Sequence, residues 1–179
     1  MLAWLSTIII IRLLLPSDYG LMAMASTLVA LLATIGELGI GASIIQAEQI
    51  STREIRIISG VVLITSFCGL ILSYFSAPWI ASFYKETRLI TIIRMMGFVF
   101  LIIAFYAIPE SLFIREINFR TKTQVDIASQ VGGAILSLLL ALGGFGVWSL
   151  VIGFMGVHVI KAIGYNIVRR GWLKPLFGY

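Results

Sequence analysis

The ionisable residues of this 179-residue chain are scattered singly among long apolar segments. Catalysis or metal binding needs them in groups, such as carboxylates that share a metal ion or a nucleophile beside a general base. The acidic residues are isolated from one another, and His158 has no acidic or cysteine neighbour at the spacing of metal ligands. The single Cys68 allows neither an internal disulfide nor a cysteine-based metal site. We therefore expect no catalytic residue, no metal, no cofactor and no enzymatic activity.

Five charged residues lie within or beside apolar segments, where a charge is costly and is therefore a functional candidate. Arg12 and Arg94 are each within about two helical turns of a segment end, so their side chains could also reach the lipid headgroups. Lys161 lies about seven residues, or about 10 Å, from the basic end of its segment. This depth is equally compatible with a Lys161 side chain inside a cavity and with one against lipid.

Glu37 and Asp126 complete the set of candidates for a substrate cavity. Glu37 lies among three glycines at positions 36, 39 and 41. Unwound backbone and a carboxylate could bind a cation there, or the helix could simply end at the membrane surface. Asp126 opens an apolar segment, where the helix dipole favours a carboxylate without any further role. The lone His158 is expected to hydrogen-bond to a neighbouring helix.

The composition indicates the elements that must position these residues. The chain is 60% hydrophobic and only 12% charged, which predicts a membrane protein and excludes a disordered, fibrous or nucleic-acid-binding one. Turn and charge signals, with Pro78 and Pro109 marking two of the ends, divide it into six spans of an all-α, polytopic membrane helix bundle. The expected spans are residues 1–15, which are too short at their start, then 19–46, 57–75, 89–108, 125–142 and 147–168. A six-helix lobe, residues 1–168, is thus followed by a basic segment, residues 169–179.

Basic residues are distributed unequally between the two sides that six spans define. One side has Lys85 and Arg88 in its loop, plus Arg12 and Arg94 near span ends. The other side has Arg53, Arg56, Arg115, Arg120, Lys122, Arg169, Arg170 and Lys174. The positive-inside rule places the second side, with both termini, in the cytoplasm. In the fifth span, small residues at a spacing of four, Ser129, Gly133 and Ser137, predict close contact with a neighbouring helix.

Five sequence blocks carry a family resemblance. They are residues 12–24 (RLLLPSDYGLMAM), 37–46 (ELGIGASIIQ), 77–84 (APWIASFY), 113–120 (FIREINFR) and 144–151 (GFGVWSLV). In this order they resemble the oligosaccharide and lipopolysaccharide flippases of the multidrug/oligosaccharidyl-lipid/polysaccharide (MOP) exporter superfamily, especially its polysaccharide-biosynthesis branch. The resemblance covers nearly the whole chain.

The resemblance implies one lobe of a two-lobe flippase of the inner, or plasma, membrane. Such proteins are thought to move an undecaprenyl-diphosphate-linked oligosaccharide between leaflets by alternating access, for surface polysaccharide or lipopolysaccharide synthesis. It implies membrane lipids and a second six-helix lobe as partners, with residues 169–179 as the start of the linker between lobes. Arg12, Arg94 and Lys161 would then be cations on the substrate side, and Glu37 would help to couple an ion.

Two alternatives remain open at this stage. One is a drug or peptidoglycan-precursor exporter of the same superfamily, which would share the six-helix lobe. The other is a truncated membrane remnant that transports nothing, in which the same residues would only support the fold. Neither alternative involves nucleic acid.

Overall fold

A computed structural model describes residues 13–37 and 52–168. These ranges form six α-helices and no strand: α1 (Pro16–Glu37), α2 (Thr52–Tyr84), α3 (Arg88–Gly97), α4 (Val99–Arg115), α5 (Phe119–Leu142) and α6 (Val147–Val168). Phe98, which separates α3 from α4, keeps helical backbone angles (φ −62°, ψ −17°). α3 and α4 therefore form one nearly continuous helix, which makes up a single span.

Five segments of the described residues are long and apolar enough to cross a membrane: Pro16–Thr34, Ile57–Tyr84, Arg88–Arg115, Phe119–Leu142 and Val147–Val168. The prediction of an all-α, polytopic membrane helix bundle is confirmed, and the chain is a multi-pass membrane protein. Residues 1–12 of the expected first span, the last third of the second and the basic segment 169–179 lie outside the described residues.

Two helices extend beyond the ends that the prolines predict. α2 continues through Pro78 to Tyr84 instead of ending near Phe75, and α4 continues through Pro109 to Arg115 instead of ending at Ile108. A proline removes one helical N–H and leaves the carbonyl four residues earlier without its partner. For Pro109 that carbonyl belongs to Phe105, and it accepts a hydrogen bond of 3.2 Å from the Asn166 side chain of α6. A neighbouring helix thus replaces the lost bond, which is how membrane helices tolerate proline.

Three tight turns reverse the chain between successive helices. The third turn contains a second left-handed residue, Gly146 (φ 53°), but each turn has one close to the end of the preceding helix: Lys85 (φ 54°), Ile117 (φ 55°) and Gly144 (φ 76°). The N–H that follows it donates to a carbonyl five residues earlier, at 3.0, 3.0 and 3.2 Å respectively, which closes the preceding helix in a Schellman motif. Because the helices alternate in direction, the turns after α2 and α5 lie at one end of the bundle, called here the Lys85 end. The turn after α4 lies at the opposite end, called the Ile117 end.

Small residues bring α5 and α6 into close contact, as the spacing in the fifth span predicts. Ser129, Gly133 and Ser137 are all buried. A Cβ atom added to Gly133 would lie 2.9 Å from the carbonyl oxygen of Gly153 and would overlap the side chain of Val157. A Cβ atom on Gly153 would in turn lie 2.6 Å from that of Ser137. The two backbones therefore touch at positions where any larger residue would separate the helices.

The main hydrophobic core lies where α3 meets α1, α2 and α6. Its buried members include Ala25 of α1, Ala77 of α2, Ile93 and Met96 of α3, and Val151 of α6. A second, smaller aromatic core joins α4 to α5 and α6 towards the Ile117 end. The charged residues considered next lie beside this second core.

Candidate functional site

Four charged side chains from three helices form one connected group near the Ile117 end, called here the charge cluster. It consists of Glu110 of α4, Lys122 and Asp126 of α5, and Lys161 of α6. The Lys122 Nζ lies 2.6 Å from Asp126 Oδ2 and 3.1 Å from Glu110 Oε1. The Lys161 Nζ lies 3.0 Å from Asp126 Oδ1 and 3.8 Å from Glu110 Oε1. Each ammonium group therefore contacts both carboxylates.

Three local features position the cluster. Lys122 and Asp126 are four residues apart, so they share one face of α5 and pair along the helix. Lys161 reaches them because the small residues of α5 and α6 allow these helices to approach closely. Glu110 follows Pro109 directly, and it faces the cluster because α4 continues past the proline.

Partial burial makes the balance of charge in the cluster important. The four side chains are 18–27% exposed, and in such surroundings an unpaired charge is costly while opposite charges attract more strongly than in water. Two carboxylates face two ammonium groups, so the cluster is neutral as a unit. Lys161 is thus compensated by carboxylates in this conformation.

An aromatic layer extends the cluster towards the middle of the membrane. The Tyr165 hydroxyl donates to Asp126 Oδ1 at 3.2 Å, and its ring stacks on that of Tyr106 with centroids 6.2 Å apart. The Tyr106 hydroxyl hydrogen-bonds with His158 Nδ1 at 2.8 Å, which confirms the expected bond between His158 and a neighbouring helix. His158 lies ten residues from the end of α6, or about 15 Å along its axis. Polar contacts therefore run from the helix ends to about half the thickness of the membrane.

Arg94 occupies a separate position near the Lys85 end. Its guanidinium carbon lies 4.2 Å from the centroid of the Tyr74 ring of α2, a cation–π contact. Its Nε is buried and has no hydrogen-bond partner among the described residues. By position along their helices, Arg94 and Lys161 differ in depth by about 12 Å. The structure therefore does not bring these two candidate cations into one cluster.

Of the remaining candidates from the sequence, Arg12 and the side chain of Glu37 lie outside the described part of the chain. Arg12 precedes the described residues, and Glu37 ends the described part of α1, where only its backbone is described. Asp126, which the helix dipole alone could explain, proves to be the carboxylate that binds both lysines and Tyr165. Among the described residues, no group of three or more His, Cys, Asp or Glu side chains could hold a metal ion.

Sequence reasoning missed three members of the site. Lys122 was counted only among the basic residues of one side, and neither Glu110 nor Tyr165 was singled out. One available signal was the Lys122–Asp126 spacing of four, which is typical of a helical ion pair. Another was the spacing of His158, Lys161 and Tyr165, which places all three on one face of α6.

The chain is similar in sequence to known proteins of polysaccharide biosynthesis. Residues 9–177 match the family model described as polysaccharide biosynthesis protein. The chain is 29% identical, over 90% of its length, to the succinoglycan biosynthesis transport protein ExoT of Rhizobium meliloti. It is 26% identical, over 53% of its length, to the teichuronic acid biosynthesis protein TuaB of Bacillus subtilis.

These relatives are longer than the chain. The matches cover 33% of the Rhizobium protein and 20% of the Bacillus protein. No solved structure matches the chain significantly.

Proposed function

The chain belongs to the polysaccharide biosynthesis protein family, and we propose that it forms part of a transporter that moves a lipid-linked oligosaccharide across a membrane. The observation that carries this proposal is the family match, which extends over all five apolar spans and their charged residues. That the Rhizobium relative is named as a transport protein supports a transport role. Transport of an intact molecule forms and breaks no covalent bond, so the function requires no catalytic group.

The chemistry of such a substrate explains why cations lie inside the spans. The headgroup of a polyprenyl-diphosphate sugar carries negative charge and cannot enter hydrocarbon without replacement of its hydration. We assign Arg94 and Lys161 as contacts for the diphosphate at two depths, and Arg12 as a third. In this proposal Asp126 holds Lys161 in position between substrates, and Glu37 takes part in coupling an ion. The partly unsatisfied guanidinium of Arg94 supports its assignment.

The proposal includes an arrangement in the membrane. The described spans would form most of one lobe, and a second six-helix lobe would face it across a central cavity, so that the two rock in alternating access. The Ile117 end, which contains the basic turn around Arg115 and Arg120, would face the cytoplasm of the inner membrane, as would both termini. Undecaprenyl diphosphate is the proposed lipid carrier.

Binding of the carrier lipid tests the proposal directly. The purified chain in nanodiscs should bind an undecaprenyl-diphosphate oligosaccharide at least about tenfold more tightly than undecaprenol, because only the first presents an anionic headgroup. The Arg94→Gln variant should lose much of this difference, whereas Arg88→Gln, at an exposed helix start, should retain it. Equal binding of the two lipids by the unaltered chain would refute the function.

A further inference from the structure

Glu110 is held unequally by its two lysine partners. Its Oε1 lies 3.1 Å from the Nζ of Lys122 but 3.8 Å from the Nζ of Lys161. Lys161 is bound more closely by Asp126, at 3.0 Å. The contact between Glu110 and Lys161 is thus the longest in the charge cluster, and it is the one that a competing anion would break first.

We propose that Glu110 occupies the place of a phosphate group at Lys161 while no substrate is bound. This inference rests on the proposed function, because it takes Lys161 as a contact for the anionic headgroup. An incoming phosphate displaces the Glu110 carboxylate from Lys161, and Lys122 retains that carboxylate. No carboxylate is left unpaired during the exchange, which keeps the cost of the step low in surroundings of low polarity.

The position of Glu110 in α4 links this exchange to a movement of the helix. One turn before Glu110, α4 is fixed to α6 by the bond from Asn166 to the Phe105 carbonyl and by the Tyr106–His158 bond. Beyond Pro109, Glu110 contacts Lys161 of α6, and the buried ring of Phe113 packs against Tyr165 of the same helix with centroids 5.7 Å apart. Displacement of Glu110 therefore weakens the hold of α6 on the last turns of α4, while the hydrogen bonds of Phe105 and Tyr106 keep the preceding turn in place. Binding of an anion is converted into a shift of one helix end.

Pyrophosphate binding to the purified chain in nanodiscs tests the competition. Inorganic pyrophosphate is the probe, and its affinity is measured by calorimetry at constant ionic strength. Glu110→Gln should tighten binding about threefold to tenfold, the range for loss of one partly exposed competing ion pair. Lys161→Gln should abolish this gain when it is combined with Glu110→Gln.

The matched control is Glu86→Gln at the Lys85 end. It removes the same charge from a carboxylate that a side chain, here Arg88, also binds at 3.0 Å. This hydrogen bond lowers the pKa of Glu86, so the wild-type residue carries a carboxylate charge at neutral pH. Glu86→Gln should leave the affinity for pyrophosphate unchanged. An equal gain in both glutamine variants would show an effect of net charge alone and would overturn the inference.

A distance measurement tests the movement. Spin labels at Ile114 of α4 and Ile163 of α6, in a chain with Cys68→Ser, should move apart on addition of pyrophosphate. Glu110→Gln should show the larger distance without the probe and no further change with it. If pyrophosphate binds through Lys161 but the distance and the Glu110→Gln affinity stay unchanged, the inference fails while the proposed function survives. If Lys161→Gln binds pyrophosphate as the wild type does, the assignment of Lys161 in the proposed function fails.

Discussion

Replacement of Lys161 by glutamine is expected to destabilise the bundle through the charge that it leaves behind. The substitution removes the contacts of 3.0 Å to Asp126 and 3.8 Å to Glu110. Both carboxylates then depend on Lys122 alone, with the Tyr165 hydroxyl as an additional donor to Asp126. The cluster changes from neutral to a net charge of about −1 in partly buried surroundings.

The magnitude follows from the exposure of the side chains. Exposed ion pairs contribute about 0–1 kcal/mol, and breaking a fully buried pair costs about 3–5 kcal/mol. With Lys161 18% and Asp126 27% exposed, an intermediate loss of about 2 kcal/mol is expected. For a chain of this size that corresponds to a decrease in Tm of about 4–8 °C.

A second substitution separates the effect of lost charge balance on stability from the effect of lost side-chain packing. In Lys161→Gln with Asp126→Asn, one ammonium faces one carboxylate again, so about half of the lost stability should return. The assay is thermal unfolding of the chain in detergent, followed by tryptophan fluorescence. Lys85→Gln, at an exposed turn on the opposite end, is the matched control and should change Tm by less than about 1 °C. A Lys161→Gln variant as stable as this control, or a double variant less stable than both single ones, would refute the charge-balance reasoning.

Three further substitutions test other parts of the fold by the same unfolding assay. Gly133→Ala should cost about 1–3 kcal/mol because its Cβ forces α5 away from α6, whereas Gly60→Ala, with open space around it, should not destabilise. Asn166→Ala should lower the free energy of unfolding by about 1 kcal/mol because it leaves the Phe105 carbonyl of α4 without a donor. In a Pro109→Ala background a helical N–H is restored to that carbonyl, so the same substitution should cost less. An equal loss in both backgrounds would contradict this explanation. Ile117→Gly should stabilise by about 1 kcal/mol, since a β-branched residue is strained at φ 55°, and a lower Tm would show that its exposed side chain matters more.

Most of the fold could be predicted because membrane insertion depends on local composition. Long apolar segments with few charges must form helices, since no water is present to satisfy the backbone. The turn at residues 143–146 and the close contact of α5 with α6 were also readable, from glycines in one case and from the spacing of small residues in the other. The ends of α2 and α4 could not be predicted. Whether a proline ends a helix or lies within it depends on whether a neighbouring helix provides a donor for the carbonyl four residues earlier.

The candidate site was only partly predictable. The cost of a charge in the membrane is a property of the single residue, so Arg94, Asp126 and Lys161 could be identified one by one. Their partners could not, because Glu110 and Lys161 are 51 positions apart in sequence and meet only when α4 packs on α6. The family resemblance likewise implied the same substrate-side role for Arg94 and Lys161, although Arg94 contacts the Tyr74 ring and Lys161 contacts two carboxylates as well as the Tyr106 ring.

By itself, the sequence determined that this chain is a multi-pass bundle of apolar helices and that it resembles polysaccharide flippases, because hydropathy and short motifs are local properties. Only the tertiary structure decided which charges compensate one another. Whether Lys161 is a bare cation or one member of a neutral group of four depends on distances between helices, and those distances are set by the small residues and the proline that let three helices meet.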